Sequence, residues 1–275
     1  MQSKIAESIH LKHQPVALVW SDQKPENAAQ FKENKWGCIM WLIAASAAKG
    51  KTSVCNRQTF GCVGGAVGMG FGDQYKNFPG GEECFCYFLS IGNENWEQGR
   101  KSAEKVKPFM REQAYDEYLR GERYIKSPEL VKKVINCMPI TDIPSEYVVF
   151  KPLREVNPEN EKPKSVTFFA DPDQLSALVV LANYGREDNE NVTIPYAAGC
   201  QTIGIYSYKE AEAEKQRAVV GLTDLTARVN TQKQLGDNFM SFTMPLAMFE
   251  EMEANVEGSF LERHIWQSLL KKKMK

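Results

Sequence analysis

The chain has 275 residues, 43% hydrophobic and 25% charged, the make-up of a globular protein with ample core in one large domain or two joined halves. A formal net charge of −1 creates no field that would gather nucleic acid or an anionic membrane surface. The longest apolar run, 38–45, is far short of the roughly 20 residues that span a bilayer, and no apolar leader follows Met1, so a cytoplasmic protein is expected.

Residues 1–14 read as a short helix with His10 and His13 on one face, two polar residues rather than a metal pair. A buried strand follows at 15–20, then a polar loop at 21–34. The segment 36–48 is apolar on nearly every side, which marks a buried helix with Cys38 in or near the core, ended by Lys49-Gly50. A short strand at 52–54 leads into Thr59-Phe-Gly-Cys-Val-Gly-Gly-Ala-Val-Gly-Met-Gly-Phe-Gly-Asp73. Six glycines there surround one thiol, Cys62. Glycine is costly in ordered structure unless the backbone needs positive φ or something must come close to it, so this stretch reads as a loop bent around a ligand or a tightly packed turn.

Beyond the turn Phe78-Pro-Gly-Gly81, the run 84–89 reads as an apolar strand or short helix whose Cys84 and Cys86 fill core. The charged, amphipathic segment 99–123 gives one or two surface helices. Ser127-Pro128 then supplies a cap and a first-turn proline for a helix ended by Pro139, with Cys137 structural in its last turn. A strand at 147–152 and a polar linker at 153–164 precede a strand at 166–170. Asp171-Pro-Asp-Gln174 caps the next helix in capping-box fashion. A second small-residue stretch, Ala197-Ala-Gly-Cys-Gln-Thr-Ile-Gly204, is followed by a charged helix at 209–217, strands at 218–222 and 239–244, and a helix at 246–256. The last helix starts at Ser259-x-x-Glu262 with Leu261, Ile265 and Leu269 facing inward, and Lys271, Lys272, Lys273 and Lys275 form its solvated basic end.

Two segments share a plan. Each runs from a strand ending near an aspartate (Asp22, Asp171), through a helix and a glycine (Gly50, Gly185), to a Gly-Cys pair (Gly61-Cys62, Gly199-Cys200). The expected fold is therefore α/β: two similar strand–helix–Gly-Cys halves, 15–98 and 147–244, packed about a pseudo-twofold in a single domain, with helical additions at 99–138 and 245–275. Such a pairing would bring Cys62 and Cys200 to one interface, with Trp36, Trp41, Tyr75, Phe78 and Tyr196 as candidate pocket walls.

Seven cysteines in a reducing compartment (Cys38, Cys55, Cys62, Cys84, Cys86, Cys137 and Cys200) read as thiols, metal ligands or core residues rather than a disulfide framework. Three readings compete. Cys62 and Cys200, with Cys38 or Cys55, hold a metal or an iron–sulfur cluster, since thiolates suit soft metals. Alternatively Cys62 is a reactive thiol activated by surrounding amides, although only three histidines exist to serve it. Or the cysteines are small buried hydrophobes. No phosphate-binding P-loop, dinucleotide fingerprint or His-Glu-x-x-His motif occurs.

The stretches Gly61-Cys-Val-Gly-Gly-Ala-Val-Gly-Met-Gly70, Phe78-Pro-Gly-Gly81, Phe88-Leu-Ser90, Ala198-Gly-Cys200 and Val220-Gly-Leu-Thr-Asp224 together resemble the uncharacterised ArCR family, over about Val16 to Met244. The resemblance implies recurring cysteines at Cys38, Cys62 and Cys200 and brings no reaction with it. Cys55, Cys84 and Cys86 stand outside that pattern. The resulting expectation is a protein binding a metal or iron–sulfur cofactor through Cys38, Cys62 and Cys200, with Gly61, Gly64, Gly65, Gly68 and Gly199 around it, open to redox chemistry. A small-molecule ligand or redox partner, and a homo-oligomer, are compatible with it. The alternative is a non-catalytic protein whose glycine-rich loop holds a small anion as a backbone nest.

Overall fold

Runs of β-branched and aromatic residues too short to make stable helices build the centre of the fold. The structure, a computed structural model, describes residues 1–33 and 35–273. Asn34 and Lys275, which belong to the expected loop and basic tail, lie outside the described residues. Two compact units form: Met1–Phe71 with the chain from Asp142 onward, and Gly72–Thr141.

In chain order the larger unit opens with α1 (Lys4–Ser8), β1 (Val16–Ser21), α2 (Ile39–Lys49), β2 (Ser53–Asn56) and α3 (Val63–Met69). The smaller unit is helical: α4 (Gly81–Leu89), α5 (Glu97–Val106), α6 (Glu112–Arg120) and α7 (Pro128–Cys137). The larger unit resumes with β3 (Tyr147–Pro152), β4 (Ser165–Ala170), α8 (Pro172–Tyr184), β5 (Val192–Thr193), α9 (Gly199–Ile203) and α10 (Ile205–Glu212). It ends with β6 (Ala218–Gly221), α11 (Leu225–Leu235), β7 (Met240–Pro245), α12 (Leu246–Ala254) and α13 (His264–Lys273).

The seven strands make one sheet in the order β2-β3-β1-β4-β7-β6-β5. Its neighbours are antiparallel apart from the parallel β5–β6 pair. Strand side chains alternate between faces, and the two faces here differ in chemistry. Ala17, Val19, Val166, Phe168, Phe242 and Met244 form one face, packed against Leu178 and Leu181 of α8, Phe249 of α12, and Trp266 and Leu270 of α13. The opposite face mixes a patch of hydroxyls with apolar residues such as Leu18, Phe150 and Phe169. There Ser46 of α2 lies 2.6 Å from the Ser53 hydroxyl and donates to the Phe150 carbonyl. Thr167 and Thr243 bond each other at 2.9 Å, and Ser165 donates to the Ile203 carbonyl. Short polar residues let α2, α9 and α10 sit low on this face; a Cβ at Gly221 would come within 1.9 Å of the Thr202 hydroxyl.

The α/β class is as expected. About the β1–β4 pair the strand order is palindromic for six strands, with β3 answering β7 and β2 answering β6. The helices do not follow that symmetry: α2 covers the hydroxylic face and α8 the apolar one. The pairing of α2 with α8, on which the two expected halves rested, is therefore not reproduced.

Several boundaries differ locally. Residues 84–89 take the helical one of the two expected states, with Cys84 and Cys86 both buried as expected. The charged helix expected at 209–217 lies at Ile205–Glu212, and α11 was not foreseen. Ser259 caps a single 3₁₀ turn and α13 starts later, at His264, so Trp266 and Leu270 face inward while Ile265 is 69% exposed.

The smaller unit has its own centre, in which Cys84, Ala103 and Tyr118 are covered by Phe78, Phe88 and Trp96. The Tyr118 hydroxyl donates to the Pro79 carbonyl at 2.9 Å and lies 2.8 Å from the Ser102 hydroxyl. Phe78 stacks on Tyr118, and Tyr75 packs on Phe85. Those two expected pocket aromatics are core of this unit. No helix among the described residues is long and apolar enough to cross a membrane.

Candidate functional site

Four helices on the hydroxylic side begin close together, and each start carries an acidic or thiol side chain. Cys38 precedes α2 and Cys62 caps α3, where its sulfur accepts the Gly65 N–H at 3.2 Å. Cys200 is the second residue of α9, and Asp224 caps α11. Sequence reasoning placed Cys38 inside a helix; the helix starts one residue after it.

Glycines bring these starts together. Gly61 has φ +79°, and a Cβ there would lie 2.4 Å from the Gly37 carbonyl oxygen, so the segments leading to Cys62 and Cys38 run backbone against backbone. At Gly65 a Cβ would meet the Phe60 carbonyl at 2.8 Å and Ile39 of α2 at 3.3 Å. At Gly68 it would meet the Gln201 amide at 3.0 Å and the Cys200 sulfur at 3.1 Å. Gly204 faces the same contact from the other side, its missing Cβ falling 1.9 Å from the Gly68 carbonyl oxygen. Helices α3 and α9 thus touch through their backbones. The Cys200 thiol donates across that contact to the Gly64 carbonyl at 3.6 Å. A Cβ at Gly199 would make only ordinary contacts, 3.4 Å from Asp224, Met40 and Leu222.

Asp224 fastens the arrangement. One carboxylate oxygen accepts the Gly199 N–H at the start of α9, and the other accepts the Ala227 N–H in the first turn of α11. The expected site list did not contain this residue. Its signal is local: an aspartate directly before Leu225–Leu235, with Gly236 directly after, is the cap-to-glycine punctuation of a helix.

The structure therefore brings Cys38, Cys62 and Cys200 near one another and sets Gly61, Gly65 and Gly68 at the close contacts that do so, with Gly199 in ordinary contact beside Asp224. The stretch expected as a glycine-rich loop is largely helix α3. Gly64 differs from its neighbours, because a Cβ there meets no atom within 4 Å. Cys55 is buried in β2, Cys84 and Cys86 are buried in the smaller unit, and Cys137 is exposed. Trp36, Trp41 and Tyr196 are 73%, 44% and 47% exposed, so none of the three is enclosed.

The electrostatics are one-sided. Burial pushes the Cys38 thiol up to about 12, and the neighbouring Cys62 and Asp224 add to the rise while the Met40 and Trp41 amides oppose it. Burial also raises Cys200, followed by the charges of Cys62, Cys38 and Asp224. Asp224 is raised by burial and held back by the Ala227 and Gly199 amides. Cys62 and Asp224 thus disfavour ionisation of Cys38 and Cys200, Cys38 adds to the effect on Cys200, and among the described residues no basic side chain is among the causes that shift Cys38, Cys200 or Asp224. Raised thiols are poor nucleophiles, which sets Cys38 and Cys200 apart from Cys62, the residue the reactive-thiol reading named. Among the described residues no three histidine, cysteine, aspartate or glutamate side chains come close enough to hold a single metal ion.

Comparison with curated proteins and with solved structures finds no match to this chain. A family model matches residues 4–255, nearly the whole of the larger unit and all of the smaller one. The chain belongs to the uncharacterised ArCR family, domain of unknown function 169.

Proposed function

We propose that Cys38, Cys62 and Cys200 bind a thiolate-held metal cofactor, an iron–sulfur cluster in particular, at the meeting point of α2, α3, α9 and α11. The observation that carries this reading is the gathering of acids: Cys62 and Asp224 lie close enough to Cys38 and Cys200 to raise both thiols, and among the described residues no basic side chain is among the causes that shift them. Three thiolates with a carboxylate beside them are a donor set for a soft or borderline cation, and binding would displace their protons. The residues present suit such a group by donor chemistry. A single ion held at Zn–S distances of about 2.3 Å would need the sulfurs drawn closer together, whereas a polynuclear cluster spreads its ligands more widely.

When bound, the group would supply electron transfer or Lewis acidity. Cys38, Cys62 and Cys200 would hold it, Asp224 would fix the start of α9 that carries Cys200, and the glycine contacts would keep α3 and α9 in place. A small-molecule ligand or a redox partner is what such a centre would serve. The anion-nest alternative is less favoured because amides it would use are taken: Gly65 N–H by the Cys62 sulfur and Gly199 N–H by Asp224.

Anaerobic purification followed by iron, sulfide and zinc analysis with a visible spectrum tests the reading. Cys62→Ser and Cys200→Ser should each abolish uptake, because a hydroxyl ligates soft metals poorly, while Cys137→Ser on the exposed end of α7 leaves it intact. Full metal content and an unchanged spectrum in both site variants would remove the thiols from any ligand role.

A further inference from the structure

The thiols divide by accessibility: Cys55, Cys84, Cys86 and Cys200 are buried, Cys137 is exposed, and Cys38 and Cys62 alone are half-buried. Those two are also neighbours through their backbones. A Cβ at Gly61 would lie 2.4 Å from the Gly37 carbonyl oxygen and 3.1 Å from its carbonyl carbon. Each of these glycines directly precedes one of the cysteines. Ordinary bond lengths then hold the Cα atoms of Cys38 and Cys62 within about 10 Å of each other. A disulfide needs about 4.4–6.8 Å, and a glycine ahead of each cysteine leaves the backbone free to make the adjustment. Cys200 is placed differently. Its sulfur faces the Gly64 carbonyl, whereas the Cys62 sulfur faces the Gly65 N–H. That carbonyl and that N–H belong to one trans peptide unit and point in opposite directions. A peptide plane of α3 therefore stands between those two sulfurs.

We propose that Cys62 and Cys38 form a redox dithiol that reduces a small hydroperoxide and closes to a disulfide joining the starts of α2 and α3. The pair acts in the chain without metal and does not depend on the cofactor reading. The backbone contacts that pack α3 against α2 and α9 leave access for a small oxidant rather than for a protein disulfide. Burial weakens Cys38 as a nucleophile, so Cys62 attacks first. With hydrogen peroxide, the Cys62 sulfur takes one oxygen, the O–O bond breaks and water leaves, giving a sulfenic acid. The Cys38 sulfur then attacks the Cys62 sulfur: the S–S bond forms, the S–O bond breaks, and the hydroxyl leaves with the Cys38 proton as water. Two thiols lose two electrons and one peroxide becomes two waters. Because the second step is intramolecular, proximity offsets the weak nucleophilicity of Cys38. Exchange with an external dithiol reopens the pair.

The test uses the full chain, reduced, treated with a chelator and carrying Cys137→Ser to remove the exposed thiol. Equimolar hydrogen peroxide is added, and disulfides are mapped by proteolysis and mass spectrometry. The main linked peptide should join Cys38 to Cys62, with the intact chain lighter by two hydrogens. Adding Cys38→Ser should stop the reaction at a sulfenic acid on Cys62 that dimedone traps. Adding Cys62→Ser should slow peroxide consumption about tenfold or more. A link from Cys62 to Cys200 overturns the proposal. So does sulfenic or sulfinic acid accumulating at Cys62 while Cys38 stays reduced, or peroxide consumption that Cys62→Ser leaves unchanged. The mapping needs neither site variant, so misfolding of Cys38→Ser or Cys62→Ser does not remove the decision. Anaerobic iron and sulfide uptake is measured on separate samples of the same chain. Uptake without the Cys38–Cys62 link discards the dithiol and keeps the cofactor reading, and the link without uptake does the reverse.

Discussion

A methyl group at Gly204 would collide with the Gly68 carbonyl oxygen at 1.9 Å, and that oxygen belongs to helix backbone with no rotamer to escape through. Overpacking costs about 1–3 kcal/mol, and a backbone collision belongs at the upper end. Gly204→Ala should therefore lose about 3 kcal/mol in urea unfolding; a loss under about 1 kcal/mol would show that α3 and α9 can separate freely. The glycine density was legible in the sequence as a demand for close approach. What approaches Gly65, Gly68 and Gly204 was not, since a helix and a ligand call for the same residue type. Asp224 entered only as part of the Val220–Asp224 stretch and was given no site role, because aspartate before a helix is commonplace and its importance comes from Gly199, 25 positions upstream, meeting its second oxygen. Cys38 carries a separate expectation. Its thiol, raised from an ordinary 9.0 to about 12 mainly by burial, is protonated at neutral pH and must lose that proton to ligate a metal. Zinc affinity of the metal-free protein should thus rise with pH from 6.5 to 8.5, by about tenfold per unit for each proton displaced. A flat profile would show that the thiols are already ionised. In the metal-free protein the same shift has a defined sign: Cys38 contributes its full stability below about 9, and that contribution disappears as pH climbs toward about 12.

Punctuation decided which elements could be read. The capping box at the start of α8 is present as expected: Asp171 accepts the Asp173 and Gln174 amides at 3.0 Å, and the Gln174 side chain accepts the Asp171 N–H at 2.9 Å. Ser127 likewise accepts the Leu130 amide ahead of Pro128. Asp171→Ala should cost about 1 kcal/mol, measured by chemical denaturation, with its closest structural effect at the first turn of α8. An effect within error would mean that packing of Leu178 and Leu181 alone holds the helix. Where punctuation was weak, periodicity left two states open. The run Cys84–Leu89 is apolar without alternation, and length and pattern alone do not separate a buried helix from a strand in so short a run. Its helical state follows from Gly80 and Gly81, both at positive φ, opening a helix whose Cys84 side faces Ala103 and Tyr118. For α13 a correct cap was attached to the wrong element. Ser259 caps a 3₁₀ turn, and the real helix begins five residues later, which rotates its buried stripe from Ile265 and Leu269 to Trp266 and Leu270.

At the scale of the whole chain, the sheet was readable strand by strand, but its two unlike faces were not. Alternation tells which residues share a face; it does not tell which helix covers which face, because Ala17 and Leu18 are both apolar. The assumed equivalence of α2 and α8 failed at that step. The smaller unit offers the most direct test of how the molecule is put together. It is inserted between Phe71 and Asp142, and these two residues pair as an antiparallel bridge. Beside that bridge the Ile143 N–H donates to the Gly70 carbonyl at 2.8 Å. Bridged antiparallel residues lie about 4.5–5.5 Å apart, a gap that a turn of a few residues spans without strain. The thiols Cys38, Cys62 and Cys200, the carboxylate Asp224 and the seven strands all belong to the larger unit. The inserted segment has its own buried centre around Cys84, Ala103 and Tyr118. Replacing Gly72–Thr141 with a four-residue Gly-Ser turn should therefore leave a protein with one cooperative melting transition and the metal uptake of the intact chain. Collapse of the shortened protein into an unfolded or aggregated state would show that the insertion is required for the sheet to form. A folded product that no longer binds metal would show that the insertion supplies a part of the site that Cys38, Cys62, Cys200 and Asp224 do not.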